Sequence, residues 1–228
     1  MSTSNERVAI VAGAGELGRA TAERLAAAGF TVVGVDRSEE GLKELPDSIR
    51  RETADPTDPA AARSVVDRIA AEVGPPEVLV NTIGMFHPGD ALSVTPEDLR
   101  LMIDVNVGAA LWLAQAVVPY LRDRGSGSIV HVAARPGLEP TAGMATAAVS
   151  KAALVYLTRV LDLELRPLGI RVNAVAPKLL DTAKAHPYLT PELLAQAVAP
   201  GAVADTIVYL VSDAAAPVSG AVVPTYGA

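Results

Sequence analysis

The chain alternates short runs of β-branched and other apolar residues with longer segments rich in alanine and leucine. Val8 to Ala12 and Thr31 to Val35 read as strands, with a helix from about Glu16 to Ala28 between them. Ile49 to Ala54 is a weaker third strand; Val78 to Asn81, Ser128 to Ala133 and Ile170 to Val175 are three more, and Ala221 to Val223 is a candidate for the last. Helical patterns fill the intervals, over Pro59 to Val73, with Val65, Val66 and Ile69 apolar, and over Ala145 to Leu165. Thr95-Pro96 places an N-cap before a proline at the first helical position and predicts a helix to about Arg122. Thr190-Pro191-Glu192 opens another, bent or broken near Pro200-Gly201. Short apolar strands separated by helices predict a parallel sheet covered on both faces. Right-handed crossovers make this a Rossmann-like, doubly wound α/β fold. No linker, composition break or repeat divides the chain, so one domain over residues 1–228 is expected.

Composition narrows the chemistry. Nineteen basic against twenty-six acidic residues give a net charge of −7, which argues against a general nucleic-acid binder. Without cysteine there is no disulfide, thiolate nucleophile or Cys-based zinc site. The three histidines, His87, His131 and His186, are too scattered to predict a metal site. Met1 to Arg7 is polar and shows no signal peptide. The longest apolar stretch, Val105 to Leu121, is interrupted by Asn106, Gln115 and Pro119 and falls short of the ~20 residues that span a bilayer. A soluble, cytoplasmic protein with no membrane partner is expected.

One motif sits in the context its chemistry requires. Gly13-Ala14-Gly15-Glu16-Leu17-Gly18 follows a predicted strand and opens a predicted helix. The first glycine permits a tight turn, the second lets backbone approach a pyrophosphate, and the third packs helix against sheet. The helix start supplies free N–H groups and a positive dipole end. Asp36 follows at the end of the second strand, where a carboxylate accepts hydrogen bonds from a ribose diol and repels a 2′-phosphate. That favours NAD(H) over NADP(H), although Arg37 beside it works against the exclusion.

These residues and several others resemble the short-chain dehydrogenase/reductase family over nearly the whole chain. Asp55 stands where that family has an acid at the adenine, and Asn81-Thr82-Ile83-Gly84 resembles its Asn-Asn-Ala-Gly segment. Asn106 matches the family's helix asparagine, and Ser150-Lys151-Ala152-Ala153 the end of its Tyr-x-Ala-Ser-Lys-Ala-Ala motif. Gly169 to Pro177 and Thr182 match the stretch before and within its Pro-Gly-x-x-x-Thr segment. The resemblance implies a nicotinamide site built from Gly13, Gly15, Glu16, Leu17, Gly18, Asp36, Arg37, Asp55, Asn81, Gly84, Lys151, Pro177 and Thr182. It also implies a small-molecule substrate and a homodimer or homotetramer through the helices around Val107–Leu121 and Ala147–Leu165.

The departures are as informative. The glycine loop is one residue shorter than the family's usual form, Lys178 follows Pro177, and the segment from Thr182 to Pro200 is short for a substrate-covering loop. The family tyrosine and serine fall on Ala147 and Ala134. In the family that tyrosine moves the proton at the substrate oxygen, and the serine hydrogen-bonds it. Of the catalytic set only Asn106 and Lys151 remain, and Lys151 is expected to bind the nicotinamide ribose. No substitute acid is identified. Arg135, Thr141, Thr146, His186 and Tyr188 have ordinary structural readings, and His131 reads as a satisfied core histidine. Three functions follow: an oxidoreductase with altered proton transfer, a nucleotide-binding pseudoenzyme or regulatory subunit, and a non-redox cyclase or isomerase.

Overall fold

Seven parallel strands form the centre of the computed structural model, which describes residues 7–227. They are β1 (Val8–Ala12), β2 (Thr31–Asp36), β3 (Arg50–Thr53), β4 (Pro76–Asn81), β5 (Gly127–Val132), β6 (Ile170–Pro177) and β7 (Val222–Thr225), in the order β3-β2-β1-β4-β5-β6-β7. The order reverses between β1 and β4, and a parallel sheet of this kind opens its ligand crevice at the carboxyl ends beside that switch. The expectation about the first residues falls largely outside the described part of the chain.

Strand alternation sorts the core into two layers. From β1, Ala9 and Val11 face α1 (Glu16–Ala27), while Val8, Ile10 and Ala12 join the layer on the other side. Beyond α2 (Glu39–Lys43), that second layer is closed by α3 (Pro59–Glu72) and two later helices. A helical run opens with α4 (Pro96–Ile103), capped by a reciprocal Thr95–Asp98 box, passes through a π turn at Asp104–Gly108 and continues as α5 (Ala109–Arg124). Its 29 residues are long and apolar enough to cross a bilayer, yet Leu113, Val117 and Leu121 are fully buried against the sheet layer, as a core helix requires. α6 (Ala145–Leu165) lies beside it.

After β6 the chain leaves the sheet as a loop pinned at its base, where Asp181 N–H donates to Val198 O and Val198 N–H to Leu179 O, at 2.9 and 2.8 Å. The loop contains a 3-10 turn at His186–Tyr188 and a short helix, α7 (Pro191–Leu194), before α8 (Pro200–Val211) packs on α1. The break expected near Pro200 is therefore a loop between two helices. β6 extends to Pro177 rather than stopping at Val175, since Pro177 pairs with Thr225. β3 is shorter than expected, and β7 is displaced by one residue from its expected start.

Candidate active site

The glycine turn is held by its surroundings. Gly13 has φ +100°, and a Cβ there would fall 2.4 Å from Thr82 Oγ1. Thr82 explains the crowding. Its hydroxyl donates to Ala12 O at 2.9 Å and its N–H to the same carbonyl at 2.8 Å, binding β4 to the turn. Gly18 packs on Gly13 O, where a Cβ would lie 1.8 Å away. Gly15 differs: a Cβ there would meet nothing within 4 Å. It is also the N-cap of α1 and has no side chain to occupy the helix's first N–H groups. A twelve-residue helix thus presents an uncapped positive end to open space.

Asp36 is bound to this turn. Its Oδ2 accepts from Ala14 N–H at 2.7 Å and its Oδ1 from Ser38 N–H at 2.8 Å. Arg37 is exposed and reaches Asp55 at 3.8 Å. Asp55 is held below the usual carboxylate range, first by the Thr57 hydroxyl, at 2.7 Å. Leu17 packs in the core, so only its main chain faces the turn. Glu16 Oε1 accepts from Ala183 N–H at 2.7 Å, tying the loop after β6 to the start of α1. Thr182 lies at the root of that tie, and Pro177 is buried at the end of β6.

These residues fit a dinucleotide. Open space lies over Gly15 at the uncapped start of α1, as a diphosphate requires, and the Asp36 carboxylate borders the same turn. Asn81 is wholly buried; its Oδ1 accepts from Ile83 N–H at 3.1 Å, which shapes the turn after β4, and its Nδ2 finds no hydrogen-bond partner among the described residues.

Asn106 sits in the π turn and is also fully buried. Its amide accepts from Met85 N–H at 2.8 Å and donates to Met85 O and Ser150 Oγ, at 3.1 and 2.9 Å. It therefore joins the segment after β4 to α6. One residue on, Lys151 is buried and its Nζ donates to Val132 O at 2.8 Å. Burial pushes the Lys151 ammonium down to about 8. Gly84 makes room for it, since a Cβ there would lie 2.9 Å from Nζ. The turn Arg135–Gly137 covers the helix backbone at this point, where a Cβ on Gly137 would meet the Lys151 carbonyl carbon at 2.7 Å.

No hydroxyl stands at Ala134, just before the turn Arg135–Gly137, or at Ala147, one helical turn before Lys151 on α6. Arg135 is occupied by Glu139 at 2.7 Å, and its guanidinium lies 5.5 Å from the ring centre of Tyr226. Tyr226, which the sequence pattern did not single out, donates to Glu139 Oε1 at 3.4 Å. Thr141 donates to Glu139 O, and His186 pairs with Asp181 at 2.6 Å. Thr146 is buried on α6; the side chain of Tyr188 lies outside the described part. His131 corrects an expectation. It is fully buried, but neither ring nitrogen finds a hydrogen-bond partner among the described residues. Burial, assisted by the Lys151 charge, pushes its pKa down to about 4, so the ring is neutral.

Comparison with known proteins agrees with this architecture. The short chain dehydrogenase family profile matches residues 7–192, and the chain belongs to that family. It is 35% identical over 184 residues to 2,3-dihydro-2,3-dihydroxybenzoate dehydrogenase of Bacillus subtilis, covering 77% of this chain and 70% of that one. It is 31% identical over 227 residues to 3-oxoacyl-[acyl-carrier-protein] reductase of Escherichia coli, covering 94% and 93%. A crystal structure of actinorhodin polyketide ketoreductase with NADPH superposes with a TM-score of 0.91 at 28% identity, covering 100% of this chain and 98% of that one. The protein is thus a short-chain dehydrogenase/reductase with the nicotinamide-binding scaffold of that family.

Proposed function

We propose that the protein is an NAD(H)-dependent oxidoreductase of a small carbonyl or hydroxyl compound, with proton transfer altered by Ala134 and Ala147. The observation that carries this reading is the open face of Gly15 at the start of α1, with Asp36 bound to the same turn. When bound, the nicotinamide supplies or takes the hydride. The chain's own part is to hold the diphosphate at Gly13–Gly18, the adenosine ribose at Asp36 and the nicotinamide ribose near Lys151. The preference for NAD(H) rests on Asp36, whose carboxylate repels a 2′-phosphate. Calorimetry with NADH and NADPH tests it: NADH binding at least ~10-fold tighter supports the preference, and equal or tighter NADPH binding overturns it.

The second reading is a nucleotide-binding pseudoenzyme, favoured by the coincidence of alanine at both donor positions. It predicts NADH binding with no consumption of NADH by any member of a broad carbonyl panel. In either case a dinucleotide site is consistent with a location in the cytoplasm, where that cofactor is abundant. A homodimer or homotetramer is supported by α6, where Val149, Tyr156 and Leu163 recur every seventh residue and stand 56%, 70% and 69% exposed.

A further inference from the structure

Reduction of a carbonyl leaves an oxygen that must receive a proton, and the side chains around Ala134 and Ala147 limit what can give one. Arg135 stays charged and cannot release a proton. His131 is neutral, and it lies on β5 inside the core. Thr141 and His186 are exposed and engaged with Glu139 and Asp181. Lys151 remains. It sits one helical turn after Ala147, on the same face of α6, so Nζ belongs to the space a longer side chain at 147 would share. Among the described residues Val132 O is its only acceptor, so when the nicotinamide ribose takes one of the two remaining ammonium donors the other is left for the substrate oxygen. Among the described residues no carboxylate pairs with it.

We infer that Lys151 is itself the acid of this enzyme, passing an ammonium proton, directly or through one water beside Ala147, to the substrate oxygen. The step rests on the proposed oxidoreductase reading. In it the carbonyl carbon gains a hydride from reduced nicotinamide, the oxygen gains the Lys151 proton, and the neutral amine is reprotonated by solvent. An acid works best when its pKa lies near the working pH. The buried ammonium meets that condition where an ordinary exposed lysine would not.

The test compares wild type with Lys151→Arg and with Ala147→Tyr. Arginine keeps the charge and the reach but cannot give up a proton. The probe is 1-phenyl-1,2-propanedione, a reactive diketone, with NADH binding followed separately by fluorescence. Wild type should reduce the probe with kcat falling above about pH 8. At NADH concentrations that saturate each protein, Lys151→Arg should lose about 100-fold or more in kcat. Ala147→Tyr should remove the dependence of kcat on a group titrating there. In 13C-lysine-labelled protein, the signal missing from Lys151→Arg should titrate near pH 8. Retention of kcat by Lys151→Arg, an unchanged pH profile, or NADH binding without reduction of the probe would overturn the role of Lys151. Failure of wild type to bind NADH would overturn the nucleotide reading itself.

Discussion

Asp36 accepts the Ala14 main-chain N–H at 2.7 Å, so the acid at the end of β2 is bound to the glycine turn. The proposed function gives the same carboxylate a second role, discrimination at the ribose. Asp36→Asn removes the charge while keeping an acceptor oxygen. NADH affinity should fall about 10-fold or less, and NADPH affinity should rise, because the anion no longer opposes the 2′-phosphate and Arg37 is adjacent. Fluorescence titration with both nucleotides checks the crossing.

The glycines of the turn should separate stability from binding. Gly13→Ala forces a side chain into φ +100° and onto Thr82 Oγ1, so it should destabilise the fold by about 2 kcal/mol or more. Gly15→Ala meets no atom within 4 Å and should leave unfolding nearly unchanged. Its methyl group would instead occupy the space assigned to the diphosphate and weaken NADH at least ~10-fold. Urea unfolding and calorimetry on the two variants check the pair.

His131 predicts acid lability. Unfolded, it takes up a proton below about pH 6.5; folded, it refuses one until about pH 4. The unfolded chain therefore binds more protons in that window, and the folded state loses stability as pH falls through it. Over the whole interval the loss is about 3 kcal/mol. His131→Leu should abolish that portion of the loss between pH 7 and pH 4.5, read by chemical denaturation. Lys151 acts in the same sense at higher pH: stability should rise as pH goes from about 8 to about 10.5, and Lys151→Met should flatten that rise.

The stripe on α6 predicts assembly. Tyr156→Glu puts a charge in the middle of Val149, Tyr156 and Leu163 without touching the core face, since Tyr156 is 70% exposed. Light scattering should give a dimer or tetramer for wild type and the 23.5 kDa monomer for the variant. The same size for both would remove this surface as the interface.

Much of the fold is legible in the sequence because β1, β4, β5 and β6 are buried on both faces and therefore read as continuous apolar runs. Long-range contacts are not legible in that way. Thr82 holds the glycine turn across 70 residues, and Glu16 grips Ala183 across 167. α2 escaped because five residues carry too little periodicity, and its start depends on Ser38 accepting from Gly41 N–H. The π turn at Asn106 inserts one residue in a helix whose apolar pattern continues past it. The glycine turn and the alanines at 134 and 147 were visible because chemistry at those positions depends on residue type alone. His131 was harder, since the pattern showed a buried polar group but not that its ring nitrogens would lack partners among the described residues.

The central claim is that residues 13–18 hold a dinucleotide diphosphate. A crystal soaked in NADH tests it most directly. The account predicts diphosphate density across the Gly15 main chain at the start of α1, with the adenosine ribose on Asp36. A saturating soak that leaves this turn without nucleotide, or places the diphosphate elsewhere, would contradict it.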